Sequence, residues 1–182
     1  ISSIPCQIKL LFIQRTMFFH TRQSTKIFDS SKTLSPENLQ LLKDSIRFSP
    51  SSLNLQPWKV FCLERSTLRE KLSTFAPGNF SQVVESSHLF VFTVEKELSE
   101  KELTKRISLT IEKNSLPKEK ALAYEQFIKK MIPSSWESFA KKQVYIALGF
   151  LMSTCALLNI AHCPLEGFMP LEFDKILGEP DY

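Results

Sequence analysis

Residues 49–58 read SPSSLNLQPW, a stretch too polar for a core and too uncharged for a solvated face, set between two segments with the patterning of ordinary scaffold. Pro50 and Pro57 bracket Ser51, Ser52, Asn54 and Gln56, fixing φ at both ends and turning Ser49 and Gln56 away from the helical region. The expectation is a stiff polar loop, suited to a flat ligand that is uncharged in its middle and rich in donors and acceptors. Ser, Asn and Pro also gather in turns for local reasons, so composition alone leaves a plain helix-to-strand turn equally open.

Working outward, the chain before the loop marks a helix start: Ser35 is the predicted N-cap, Pro36 the first helical residue, and Leu34 with Leu39 a hydrophobic staple. Leu39, Leu42 and Ile46 form its predicted buried stripe. After the loop, KVFCL (59–63) reads as a strand, followed by a helix with Leu68, Leu72 and Phe75 on one face. APGNFSQ (76–82) is a turn carrying two amides, Asn79 and Gln82, and the apolar run LFVFTV (89–94) predicts a strand covered on both faces. Residues 95–130 are studded with Lys and Glu and read as helical and largely solvated, a lid or excursion. Ser134 and Glu137 have capping-box spacing, opening a helix to Asn159 that is apolar nearly all round from Val144 to Leu158. Such a helix belongs in a core or a subunit interface, being short of the roughly 20 residues of a membrane span. Upstream, HTRQSTKIFD (20–29) would place Arg22 and Lys26 on one face if helical.

The chain has 182 residues, 43% of them hydrophobic, enough for a single domain with a substantial core. Its net charge of +4 comes from 23 basic and 19 acidic residues with no basic tract, which argues against nucleic acid as partner. Residues 1–16 are expected to lie outside a domain at 17–182, and their apolar run, broken by Lys9, is a poor signal-peptide core and far too short to span a bilayer. Cys6, Cys62, Cys155 and Cys163 lack metal-ligand spacing and fit a reducing cytoplasm; the three histidines are dispersed, so no metal site is expected. Four glycines form no phosphate loop, and Cys163 beside His162 lacks a third orienting group. What remains is four polar segments, RQSTK, SPSSLNLQP, NFSQ and PLEG. This is a binding-site signature without a nucleophile, suited to a cofactor that carries the chemistry itself.

RQSTKIFD, FSPSSLNLQPWKVF, SHLFVFTV, KKQVYIALGFLMSTCALLNI and CPLEGF, in this order, resemble the FMN-dependent NAD(P)H nitroreductase family of the oxygen-insensitive type. The resemblance covers nearly the whole chain after Met17. It implies an α+β fold with a mixed central sheet flanked by helices, in an intertwined homodimer holding FMN at the interface. By the same resemblance, Arg22, Gln23, Ser24 and Lys26 would contact FMN from one subunit, and Pro50, Ser51, Ser52 and Asn54 from the other. Asn79 and Gln82 would meet the isoalloxazine edge, while Pro164, Leu165, Glu166 and Gly167 would cover a ring face near N5. The implied activity moves hydride from NADH or NADPH through flavin N5 to a nitroaromatic, quinone or related small-molecule acceptor, with no catalytic side chain. A cation near the pyrimidine edge suits the negative charge that a reduced flavin gathers.

The sequence departs from the family pattern in three places. Gln23 stands where a histidine is common, and Gln82 where some members have lysine. The chain ends at Tyr182, where members usually continue into a last strand and a Lys-x-Arg segment that grips the FMN phosphate. Two such charge-assisted bonds, at roughly 1.5 to 3 kcal/mol each, correspond to some two to four powers of ten in affinity. The expectation is therefore a C-terminally truncated domain, with a truncated or degenerate member that folds or dimerises with weak or no FMN binding as the alternative.

Overall fold

The computed structural model describes residues 22–178. The expectations for residues 1–16, Cys6 and His20 lie outside them. The described residues form two compact units, each with its own core.

The first unit takes residues 22–49, 61–91 and 147–178. Helix α1 (Pro36–Arg47) begins as its sequence predicts, with Ser35 Oγ accepting the Asn38 N–H at 3.2 Å and Pro36 at the start. Leu42 and Ile46 are buried, whereas Leu39 is half-buried. In α2 (Thr67–Ser73) the buried face runs through Arg69, Leu72 and Ser73 and on to Ala76; Leu68 and Phe75, predicted to share the face with Leu72, are half-buried. Leu72 and Ala76 join Val83, Val91 and Phe173 in the core. Arg69 is 1% exposed, and its guanidinium donates to the carbonyls of Val83, Ser86 and Ser87 and to Ser86 Oγ. It thereby satisfies the carbonyls that end α3 (Phe80–Glu85), groups with no partner within their own helix. Helix α7 (Pro170–Leu177) stops at Gly178, whose φ of 72° is the left-handed cap that a glycine adopts without strain.

The second unit takes residues 50–60 and 92–146. Here the charged stretch forms α4 (Glu100–Lys113) and α5 (Lys118–Met131), helical as predicted but less solvated. Leu103 and Ile107 of α4 and Ile128 of α5 bury against Leu55 and Trp136, with Tyr124 packed beside them and Phe127 exposed. Sparse apolar residues at helical spacing suffice for a small core because each recurs on the same face.

Strands β1 (Trp58–Glu64) and β2 (His88–Val94) pair in a two-stranded sheet. Thr93 Oγ1 donates to the Lys59 carbonyl and the Glu95 N–H to that of Pro57, the reversed order of an antiparallel pair. Only Val91 and Thr93 of β2 are buried, so the strand predicted to be covered on both faces is half-exposed within the chain.

Helix α6 (Trp136–Leu157) starts one residue later than its capping-box reading. The Ser135 carbonyl accepts the first helical bond from Phe139, and Glu137 reaches forward to Lys141 at 2.5 Å instead of back to Ser134. Its end is a Schellman cap, with Asn159 at φ 53° and the Ile160 N–H on the Cys155 carbonyl. Ala140, Val144, Ala147, Leu151 and Cys155 are buried; Tyr145, Ile146, Gly149, Phe150 and Leu157 are exposed. No helix among the described residues is long and apolar enough to cross a membrane.

Candidate functional site

In the first unit three of the four polar segments come together. The RQSTK segment is extended, correcting the helical reading: Ser24 forms a parallel bridge with His162, and the Thr25 N–H donates to the His162 carbonyl at 3.0 Å. A backbone that finds its partner in a segment distant in sequence does not depend on helical bonds of its own. Arg22, Gln23, Ser24 and Lys26 are all exposed, and the two cations flank the bridged Ser24 in sequence instead of stacking one helical turn apart.

His162 leads directly into PLEG. At the far end of that loop the Asn79 side chain, from NFSQ, donates to the Gly167 carbonyl at 2.9 Å. Asn79 sits at the N-cap of α3, yet its side chain caps nothing there because the amide is turned onto Gly167. A Cβ on residue 167 would lie 2.8 Å from Asn79 Nδ2, so a side chain there would displace the Asn79 amide. Gln82, half-buried, lies one turn after Asn79. The loop is closed by the Met169 N–H on the Phe75 carbonyl at 2.8 Å, while Leu165 and Phe168 pack on the core and Phe168 lies 4.7 Å from Phe173, ring to ring. Pro164, Glu166 and Gly167 are left exposed.

His162 Nδ1 lies 3.0 Å from the Ile160 carbonyl, which makes Nδ1 the donor of that bond. The Nε2 of the same ring is buried without a hydrogen-bond partner among the described residues.

The fourth segment belongs to the second unit. Between Pro50 and Pro57 the chain makes a single tight turn over Ser52–Asn54, with Leu53, Asn54 and Gln56 all at positive φ. Leu55 and Pro57 are buried, whereas Pro50, Ser52 and Asn54 are exposed. Ser51 is half-buried and its Oγ is already engaged, accepting the Gln56 N–H at 2.9 Å. The polar side chains of the loop divide between internal ties and solvent.

A family model described as the nitroreductase family matches residues 20–182. The chain belongs to the nitroreductase family. Among similar nitroreductases, a Haemophilus influenzae protein named "Putative NAD(P)H nitroreductase" is 33% identical over 170 residues, which span 88% of this chain and 76% of that protein. In structure, a nitroreductase-like protein of Streptococcus mutans matches with a TM-score of 0.82 at 21% identity, over 93% of this chain and 83% of that one. An Exiguobacterium sibiricum structure described as a "putative nitroreductase in complex with FMN" matches with a TM-score of 0.75 at 20% identity, over 90% and 79% of the two chains. The α+β fold expected from sequence is the nitroreductase fold of these neighbours.

Three residues around the site of this nitroreductase escaped the sequence reading. Gln143 of α6 is 7% exposed and accepts the Ser52 N–H at 2.9 Å; its signal was an amide in register with buried Ala140 and Val144. Arg106 of α4 donates to the Leu55 carbonyl at 2.7 Å and pairs with Glu95 and Glu102; its signal was its place three residues after Leu103, on the buried face. His162, read as a dispersed histidine and as the neighbour of Cys163, is the residue that bridges to Ser24. Among the described residues no group of three His, Cys, Asp or Glu is placed to hold a metal ion.

Proposed function

We propose that this nitroreductase-family chain is an FMN-dependent NAD(P)H oxidoreductase that passes reducing equivalents to a small acceptor such as a nitroaromatic or a quinone. The observation that carries it is the convergence of RQSTK, NFSQ and PLEG through the Ser24–His162 bridge and the Asn79–Gly167 hydrogen bond. The names of similar proteins support the reading, as they include NAD(P)H nitroreductase and an FMN complex.

The donor set fits FMN chemically. Arg22 and Lys26 supply exposed cations for a phosphate and for the electron-rich edge of a flavin, and Gln23, Ser24, Asn79 and Gln82 supply neutral donors and acceptors for its polar rim. The Asn79–Gly167 approach leaves no Cβ in the way, and the buried Nε2 of His162 has no hydrogen-bond partner among the described residues at the same junction. Bound FMN supplies at N5 an atom able to take hydride from a reduced nicotinamide and pass it on. The residues of the chain bind and orient: Pro164, Leu165, Glu166 and Gly167 form the wall over one ring face, and no side-chain acid or base is needed.

Pro50, Ser51, Ser52 and Asn54 complete the site from a second subunit in this proposal. The surface for that subunit is the exposed apolar side of α6, with Tyr145, Ile146, Phe150 and Leu157. A reducing cytoplasm suits Cys62, Cys155 and Cys163, all unpaired, with burial pushing the Cys155 thiol up to about 11.

The test is direct. Purified chain incubated with excess FMN should stay yellow after desalting and oxidise NAD(P)H in a flavin-dependent way with a quinone acceptor. A colourless protein without that oxidation overturns the proposal. Arg22→Ala should weaken FMN binding by about tenfold, the share of one charge-assisted bond; unchanged affinity removes Arg22 from the site.

A further inference from the structure

Three non-glycine residues of the loop between Pro50 and Pro57 hold positive φ: Leu53 at 57°, Asn54 at 51° and Gln56 at 43°. Asparagine tolerates this region, but a leucine there is an outlier, and such strain lasts only where surrounding groups over-determine the backbone. Within the loop the Asn54 N–H donates to the Ser51 carbonyl, the Gln56 N–H to Ser51 Oγ and the Trp58 N–H to the Gln56 carbonyl. Those ties are local and would move with the loop.

Two side chains from outside hold it. Gln143 Oε1 accepts the N–H of Ser52, and Arg106 Nη1 donates to the carbonyl of Leu55. The two attachment points bracket the consecutive positive-φ pair, Leu53 and Asn54. Neither side chain sits where packing alone explains it. Gln143 is an amide on the apolar stripe of α6, and Arg106 keeps 17% of its side chain exposed, paired with a Glu95 side chain of which 11% is exposed.

We infer that Gln143 and Arg106 are positioning residues, which clamp Ser52 and Leu55 so that Ser52 and Asn54 face outward in the arrangement that binds cofactor. The identity of the cofactor rests on the function proposed above; the clamp itself does not.

The experiment uses the full chain with Gln143→Glu and Gln143→Met. Glutamate keeps the acceptor and fits an apolar stripe poorly, whereas methionine fits the stripe and loses the acceptor. The clamp predicts that FMN affinity in Gln143→Met falls about five- to tenfold and in Gln143→Glu stays within about twofold. In flavin-free protein it predicts that the Ser52 amide, slow to exchange with deuterium in the wild type and in Gln143→Glu, exchanges about tenfold faster in Gln143→Met. A packing role predicts the opposite order, with both readouts following the melting midpoint. Gln143→Met with Ser52 still protected overturns the clamp. If the wild type takes up no FMN, the proposed function fails, and Ser52 exchange still decides the inference. Arg106→Lys keeps a cation for Glu95 but cannot fork to the Leu55 carbonyl as well, and should weaken FMN binding about two- to fivefold; unchanged affinity removes Arg106 from the clamp.

Discussion

His88, at the start of β2, has a side chain only 4% exposed, with its Nε2 3.8 Å from Glu64 Oε1. Ser87 Oγ accepts the Leu34 N–H and lies within hydrogen-bond distance of His88 Nδ1, 2.8 Å away. Burial holds the His88 pKa below 6.5, and although Glu64 opposes this, Arg69, Lys43 and Arg65 reinforce it. The sign follows: between the folded value and 6.5 the unfolded chain binds a proton that folded His88 refuses, so stability is full above 6.5 and falls as the pH drops below it. Urea midpoints measured on both sides of that value should show a smaller acid loss in His88→Gln than in the wild type; equal losses would sink the assignment. Gly167 offers a second residue-scale test. Its φ is outside the left-handed region, so only the approach of Asn79 excludes a side chain. Gly167→Ala should cost about 1 kcal/mol by displacing the Asn79 amide, and close to nothing in an Asn79→Ala background, a coupling that a double-mutant cycle on the melting midpoint reads directly.

The exposed face of α6 sets the next test, because Tyr145, Ile146, Phe150 and Leu157 recur at helical spacing on a helix whose other side is buried. These exposed apolar side chains are the surface on which the proposed second subunit would dock. Phe150→Glu should convert a dimer to a monomer in light scattering while far-ultraviolet circular dichroism is retained; a wild type that is already monomeric contradicts the proposed interface. Elements of this kind were legible in the chain itself. The Ser35–Pro36 start, both strands and the long apolar helix all follow from local signals. The misreadings share one cause, which is that a partner distant in sequence decides the outcome. RQSTK is extended because His162 supplies its bridge, and the buried face of α2 passes through Arg69 because the carbonyls ending α3 wait there. The charged stretch has a core because Leu55 and Trp136 meet α4 and α5. Periodicity placed Leu103 and Ile107 but could not name what covers them.

At the scale of the molecule, the cations and the PLEG wall belong to one unit and the strained loop to the other, each set exposed within its own unit. The structure joins RQSTK, NFSQ and PLEG within one unit, a convergence that their shared polarity hinted at but that no single segment records. In the proposed dimer the cations of one subunit meet the loop of the other, and complementation separates this from a site built within one chain. Arg22→Ala damages the first half and Ser52→Trp, adding bulk at an exposed position, blocks the second. Each variant alone should lose most flavin-dependent turnover. Co-expressed, a mixed dimer gathers both lesions in one site and leaves the other intact. Random pairing makes about half the dimers mixed, each with one good site of two, so about a quarter of wild-type turnover should return. If each site is built within one chain, every site in the mixture carries one lesion and no turnover returns beyond that of the separate variants.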